Sequence, residues 1–542
     1  MPIHLLGQLG SYPAFGLEAA SHAAVGAAAV IELSPPERRR RRSDVHSRRP
    51  FGYASPQDRA VGRRHIVLFN PIYTTIGNQV ALPMALITIG GALEAAGYEV
   101  RLVDANIDPG WEPKLRAALD GALALGITTL TGPMAAHCAQ SAKKVRRWRP
   151  DLPIILGGWH PSLLPEGTAK QPWCDVVVKG QGEITAVELM QALETGRDLV
   201  EVPGLYFKRG GQVVSSGERP YADINTLPKK AYHLIDLRPY YAKNRGVHWV
   251  QYFTSYGCPY DCTYCSNPTV YQRRWNVLKV ERIVAELREL VERYDARYVG
   301  FVDDNFFVNE RHMVELCGAI VASGLKFQWS AQGRADRIAR YSERAMERVR
   351  ASGCDHIFFG AETGSENVLT LMRKRETNED VMRSAARCRR HGITSGFYFI
   401  FGYPGETESD IGATLALIDQ IRAANPVAEI YTNIFTPYPG CPAYDEALRL
   451  GVQEPEEFEG WGRFSPHGME LPWLRGARLR RVNRMRATLR EAYPIHMLGL
   501  QHRPADSLGR KLRRRLARAR LAHDVYAFPL DLWLARRSQP GA

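Results

Sequence analysis

Three cysteines carry the chemistry this sequence can do. Residues 254–268 read TSYGCPYDCTYCSNP, which sets Cys258, Cys262 and Cys265 in a C-x3-C-x2-C array. Three thiols are one short of the four that close a structural zinc site or an electron-transfer cluster, so a metal held by them keeps a position open for a substrate or cofactor. A partial zinc site is the alternative for the bare spacing. The preceding residues, Val250 to Thr254, are β-branched and aromatic, which predicts a strand that presents the cysteines on a Gly/Pro loop at its end.

The elements that must position this loop follow from periodicity. From Val280 to Phe435 apolar strand patterns alternate with helical ones, giving with the cysteine strand six parallel strands of a partial (β/α)6 barrel whose chemistry belongs at the C-terminal rim. Polar residues fall at those ends: Asp303-Asp304, Arg334, Glu362, and the loop Gly402-Tyr403-Pro404-Gly405. An ammonium wants a carboxylate or carbonyl, ribose hydroxyls want a carboxylate, and a carboxylate wants Arg334. Each of these acids can equally cap a helix.

An earlier alternation, from His65 to Val178, predicts a second parallel sheet in a Rossmann-like, flavodoxin-like α/β domain with ligands over its strand ends. The loops there carry Asn70, Thr128, Gly157-Gly158 with His160, and Gly180-Gln181-Gly182-Glu183. No G-x-G-x-x-G marks a dinucleotide site; the glycine pairs instead let backbone approach something broad and flat.

The cysteine array, with the aromatic Tyr264 before its last thiol, resembles the cluster motif of the radical S-adenosylmethionine enzymes. In that family the three thiolates hold a [4Fe-4S] cluster, and its fourth iron binds S-adenosylmethionine, which is cleaved to a 5'-deoxyadenosyl radical. The preceding domain resembles the cobalamin-binding module of one large subgroup. The resemblance spans about residues 65–445. It implies that the Asp303-Asp304 strand end contacts the methionine amine, that Glu362 lies near the ribose hydroxyls, and that the Gly402-Pro404 loop supports the adenine. One departure stands out: where the better-known cobalamin motif D-x-H-x-x-G has its cobalt-ligating histidine, this chain has Asn106, and Pro109 replaces the glycine. No histidine of that motif coordinates cobalt here. His160 is expected to hydrogen-bond or pack.

The division expected is a basic, disordered extension at 1–62, a cobalamin-binding domain at 63–200, a hairpin and linker at 201–245, the barrel at 246–445, and a basic, mostly helical C-terminal domain at 446–542. The resemblance implies a methyltransferase acting on an unactivated carbon of a natural-product, lipid or tetrapyrrole-like molecule. Cyclisation or rearrangement without methyl transfer is the runner-up, and a non-catalytic cofactor-binding sensor is the alternative from another class. An external flavodoxin- or ferredoxin-type donor would supply the electron.

The bulk composition sets bounds. A length of 542 residues suggests three or four domains, and nine cysteines, six of them scattered singly, are too few and too irregular for a disulfide framework. No run reaches the ~18 uncharged apolar residues of a membrane span, and a cytoplasmic location is expected. Of the net charge of +14, residues 1–64 carry +5 and residues 471–542 carry +13, which leaves −4 for everything between. That distribution argues against a nucleic-acid track over the active site. Leu508, Leu512 and Leu516 form an apolar stripe beside a basic helix face, which is compatible with peripheral membrane contact as well as with packing on the barrel.

Overall fold

The computed structural model describes residues 65–73, 80–244, 246–467, 469–493, 508–523 and 525–526. The extension at 1–62 and Trp533 lie outside them.

Seven strands build the first sheet: β1 (His65–Asn70), β2 (Glu99–Asp104), β3 (Ala122–Thr128), β4 (Ile154–Gly157), β5 (Val176–Val178), β6 (Leu205–Arg209) and β7 (Gln212–Ser215). Their order is β2-β1-β3-β4-β5-β6-β7. The first five are parallel, and β6 and β7 add on antiparallel. β1 is apolar along its length and buried at all six positions, as befits a parallel strand covered on both faces. The strand order reverses at β1, so the crevice between the ends of β1 and β3, at Asn70 and Thr128, is where an open α/β sheet binds ligands. The expected hairpin at 201–245 is therefore no mere linker: β6 pairs with β5 and β7 with β6, which extends the sheet, and the connection proper begins after Ser215.

The second sheet holds β8 (Trp249–Tyr252), β11 (Tyr298–Phe301), β12 (Gln328–Gly333), β13 (Cys354–Glu362), β14 (Thr394–Phe401) and β15 (Glu429–Ile434), all parallel and in chain order. A two-stranded ribbon, β9 (Ser255–Tyr256) with β10 (Asn276–Val277), brackets the cysteine loop. The helices between strands follow their pattern. Val280–Arg293 buries Val280, Ile283, Leu287 and Leu290 on one stripe, and the Thr377/Asp380 and Thr407/Asp410 capping boxes start two others. Trp249, Tyr298, Phe358, Tyr398 and Tyr431 fill part of the interior, so the barrel is a packed core with a working rim. At the open edge the helix Gly476–Ala492 covers β15, where the buried Arg486 donates to Thr432 O at 2.9 Å and satisfies an edge carbonyl.

Candidate functional site

The cysteine loop leaves β9 and ends at the helix Asn267–Tyr271, and Cys262 is buried while Cys258 and Cys265 are partly exposed. The barrel rim pins it. Asp303 Oδ1 accepts from Thr254 N (3.0 Å), Thr254 Oγ1 (2.7 Å) and Ser255 Oγ (2.6 Å), and Asp304 Oδ2 accepts from Gly257 N (2.9 Å). On the far side Thr263 N donates to Met372 O at 2.9 Å. All three sulfurs have donors: Arg334 Nη1 lies 3.7 Å from Cys262 Sγ, Asn305 Nδ2 lies 3.9 Å from Cys258 Sγ, and Asn267 N donates to Cys265 Sγ at 3.4 Å. Such donors stabilise thiolate charge around an iron-sulfur centre.

Burial pushes the Cys258 thiol up to about 11 and Cys265 further, so a metal must displace protons to bind. Among the described residues no His/Cys/Asp/Glu group is drawn together around a single metal ion. A four-iron cluster spreads its thiolates over three irons and needs no such convergence. Its fit is supported by polar atoms left buried without partners beside the loop: Asp304 Oδ1, Asn305 Oδ1 and both side-chain atoms of Asn267.

The expected ligands at the barrel rim divide by what already occupies them. Asp303 is consumed in tethering the loop, whereas Asp304 keeps one oxygen over. Arg334 is engaged on every side: Nε on Asp336 (2.9 Å), Nη2 on Lys374 O (2.6 Å), and its guanidinium over the Tyr260 ring (3.9 Å). Glu362 Oε1 accepts from Tyr264 Oη at 2.8 Å. Gly402 stands at φ +83°; its N–H donates to Glu406 Oε2 (2.6 Å) and its carbonyl accepts from Trp473 Nε1 (3.0 Å), so the C-terminal segment covers the loop that carries Pro404.

Over the first sheet a cavity of about 240 Å³ is lined by Asn70, Thr128, Gly157, Gly158, Gly180, Gly182 and Glu183. It continues past Phe253, Tyr256 and Tyr271 to Asp304, so one space joins both rims. Gly158 has φ +98° and ψ −167°, a conformation closed to side chains, and a Cβ there would meet Thr129 O at 2.8 Å. Glu183 accepts from Tyr256 Oη at 2.8 Å and ties the sheets together at the cavity wall; burial raises its carboxyl pKa. A mostly apolar cradle with backbone-lined turns suits the flat corrin of cobalamin.

His160 does not line this cavity. It is buried with Nδ1 2.9 Å from Thr131 Oγ1 and packs edge-on against Phe458 (4.9 Å) and Trp461 (5.2 Å), and burial holds its pKa down to about 3. It is a neutral ring that fastens the C-terminal segment to the first sheet. Asn106 is likewise structural: Nδ2 donates to Pro71 O (3.0 Å) and Asp104 Oδ1 (2.8 Å), and Oδ1 accepts from Tyr73 N (3.1 Å). Sequence reasoning missed Tyr256, Tyr271 and Lys374, whose only signal is an aromatic or basic residue in a stretch that reads as loop.

The comparisons agree with this geometry. Residues 252–418 match the Radical SAM superfamily and residues 74–190 match the B12 binding domain. An uncharacterized methyltransferase of Pyrococcus horikoshii is 30% identical, over 60% of this chain and 69% of the relative. The anaerobic magnesium-protoporphyrin IX monomethyl ester cyclase of Synechocystis is 27% identical over 61% and 67%, and the hopanoid C-3 methylase of Methylococcus capsulatus is 25% identical over 73% and 74%. The same fold occurs in the radical S-adenosylmethionine methyltransferase TsrM of Kitasatospora setae (TM-score 0.61, 22% identity, 73% of this chain and 80% of that one). It occurs also in the cobalamin-dependent enzyme OxsB (TM-score 0.67, 16% identity, 86% and 73%).

The chain belongs to the radical SAM superfamily, in the branch whose members carry a B12-binding domain. It is a cobalamin-dependent radical S-adenosylmethionine enzyme, and its cofactors are a [4Fe-4S] cluster, S-adenosylmethionine and cobalamin.

Proposed function

We propose that the enzyme is a C-methyltransferase acting on an unactivated carbon of a small molecule. The observation that carries this reading is the single cavity reaching from the glycine turns of the first sheet to Asp304 beside the cysteine loop, because a methyl donor and a carbon radical must meet at one substrate atom. When bound, the cluster with S-adenosylmethionine would supply the hydrogen-abstracting radical, and cobalamin the methyl group. The protein's own part is placement. Cys258, Cys262 and Cys265 hold the cluster; Asp304 takes the methionine ammonium and Glu362 the ribose; Asp303 and Arg334 steady the loop; the Gly402–Pro404 turn backs the adenine. Asn70, Thr128, Gly157, Gly158, Gly180, Gly182 and Glu183 cradle the corrin, and Tyr256 and Tyr271 wall the space between.

The electron comes from an external flavodoxin- or ferredoxin-type donor, and the enzyme works in the cytoplasm. Leu508, Leu512 and Leu516 are 84%, 66% and 38% exposed on a helix with no acidic residue, so a peripheral contact with an anionic membrane surface forms part of the reading. Among the described residues no helix is long and apolar enough to cross a membrane.

Anaerobic turnover with S-adenosylmethionine labelled in its methyl group is the test. Label in a product supports methyl transfer. Formation of 5'-deoxyadenosine and altered substrate without label would favour a cyclisation or rearrangement, cyclisation being what the cyclase relatives are named for. Neither product with a range of lipid and tetrapyrrole substrates would favour a binding protein.

A further inference from the structure

Beside the cysteine loop lies a closed triangle of buried polar groups built on a lysine with no role so far. Lys374 is 5% exposed; its Nζ donates to Tyr264 Oη at 3.0 Å and to Glu362 Oε1 at 3.1 Å, while Tyr264 Oη donates to the same oxygen at 2.8 Å. Glu376 Oε2 stands 3.9 Å from Nζ. Burial works against a charged ammonium here, but the carboxylates of Glu376 and Glu362 outweigh it and hold Lys374 protonated above the usual lysine range.

The backbone is bent in two places to make this triangle. Arg373 and Arg375, on either side of Lys374, have φ of 49° and 54°, and Glu362 has φ of 64°. Side chains disfavour this left-handed region, and such residues gather where function demands a geometry. The β13–β14 register slips between Gly360 and Glu362, a bulge that turns the carboxylate back over Gly360. A Cβ at residue 360 would sit 2.1 Å from Glu362 Oε1 and 3.1 Å from Lys374 Nζ, so only glycine leaves room. The lysine loop also grips the cysteine loop at consecutive residues. Arg334 joins Lys374 O to Cys262 Sγ, Thr263 N donates to Met372 O, and Tyr264, bonded to Lys374, precedes Cys265.

We propose that Lys374 is a positioning residue for the nucleoside of S-adenosylmethionine. It holds Glu362 by one oxygen and, through Tyr264, locks that carboxylate in register with the last cluster thiolate. The carboxylate that would take the ribose is thus held in fixed register with the cysteine loop. The inference rests on the cofactor assignment given above.

The experiment uses the full chain, reconstituted anaerobically, as wild type, Lys374→Met, Lys374→Arg and the double variant Lys374→Met/Glu362→Gln. Four quantities are read: iron and sulfide per chain, cobalamin per chain, the dissociation constant of S-adenosylmethionine, and the change it causes in the electron paramagnetic resonance spectrum of the reduced cluster. Lys374→Met should raise the dissociation constant about tenfold or more and shrink the spectral change, with iron, sulfide and cobalamin at wild-type levels. Lys374→Arg should restore most of the affinity. The double variant, which removes the Glu362 charge together with the ammonium and leaves Glu376 beside Arg334 Nε at 3.2 Å, guards against misfolding and should still bind weakly. Wild-type affinity in Lys374→Met, or weak binding that tracks iron loss in both Met variants, overturns the inference. Failure of the wild type to take up cluster or nucleoside overturns the cofactor assignment itself, and is read before any variant.

Discussion

Replacing Gly158 by alanine probes whether the turn at the end of β4 shapes the cobalamin cradle. The added Cβ meets Thr129 O at 2.8 Å, Thr128 Oγ1 at 2.9 Å and Thr129 N at 3.1 Å, and φ of +98° with ψ of −167° is open essentially to glycine alone. Forcing a side chain into that backbone costs about 1–3 kcal/mol. Relief requires the β3 and β4 loops to part, which strains the bonds from His160 N to Thr129 O (3.2 Å) and from Thr129 N to Gly157 O (2.9 Å), at about 1 kcal/mol each. The total, about 3–5 kcal/mol, falls on the cavity wall and corresponds to a weakening of cobalamin binding by roughly two to three and a half orders of magnitude. The barrel should be untouched. Cobalamin and iron per chain, measured after anaerobic reconstitution and gel filtration, give the readout. Gly167→Ala serves as control, since nothing lies within 4 Å of its Cβ and it sits in the helix Pro165–Ala169, so it should be neutral or slightly stabilising. Cobalamin bound by Gly158→Ala with wild-type affinity, or iron lost in step with cobalamin, would refute the reasoning.

Further substitutions test other parts of the site. Cys262→Ala should abolish iron uptake and 5'-deoxyadenosine formation while cobalamin still binds; elemental analysis and turnover check it. Asn106→Ala removes two hydrogen bonds between the β1 and β2 loops and one to Asp104 at the end of β2, and should lower stability by about 1–3 kcal/mol in urea melts, with cobalamin still bound at one per chain. Burial raises the Glu406 carboxyl from its ordinary 4.5 to about 8, so the folded state stays protonated where the unfolded chain ionises. Its contribution is full below pH 4.5 and fades as pH rises to about 8. Glu406→Gln should therefore flatten that decline in unfolding experiments at pH 5 and 8.5, and an unchanged slope would count against the burial argument. Leu512→Glu should reduce cosedimentation with vesicles rich in anionic lipid and leave S-adenosylmethionine binding intact; equal binding of both proteins to vesicles argues against the membrane contact.

The sequence by itself settled the kinds of element and their order, because a parallel strand buried on both faces writes itself as a short apolar run and its helix as a stripe. Val280–Arg293, Thr394–Phe401 and Leu508–Ala522 are elements that carry this pattern in the structure. It also supplied the three thiols, since a loop motif keeps its ligands close in the chain. The tertiary structure alone decided which polar residues still have hydrogen-bonding capacity to offer. Asp303 and Asp304 are neighbours in sequence, yet one is spoken for by Thr254 and Ser255 and the other keeps an oxygen unpartnered. His160 and Glu183 stand in similar glycine loops, but one turns into the C-terminal aromatics and the other lines the cavity. Lys374 reaches Glu362 only because three residues accept left-handed backbone and Gly360 has no side chain. Such pairings depend on where distant segments are brought together, and hydrophobic periodicity records which face of an element is buried, not what a polar atom meets there.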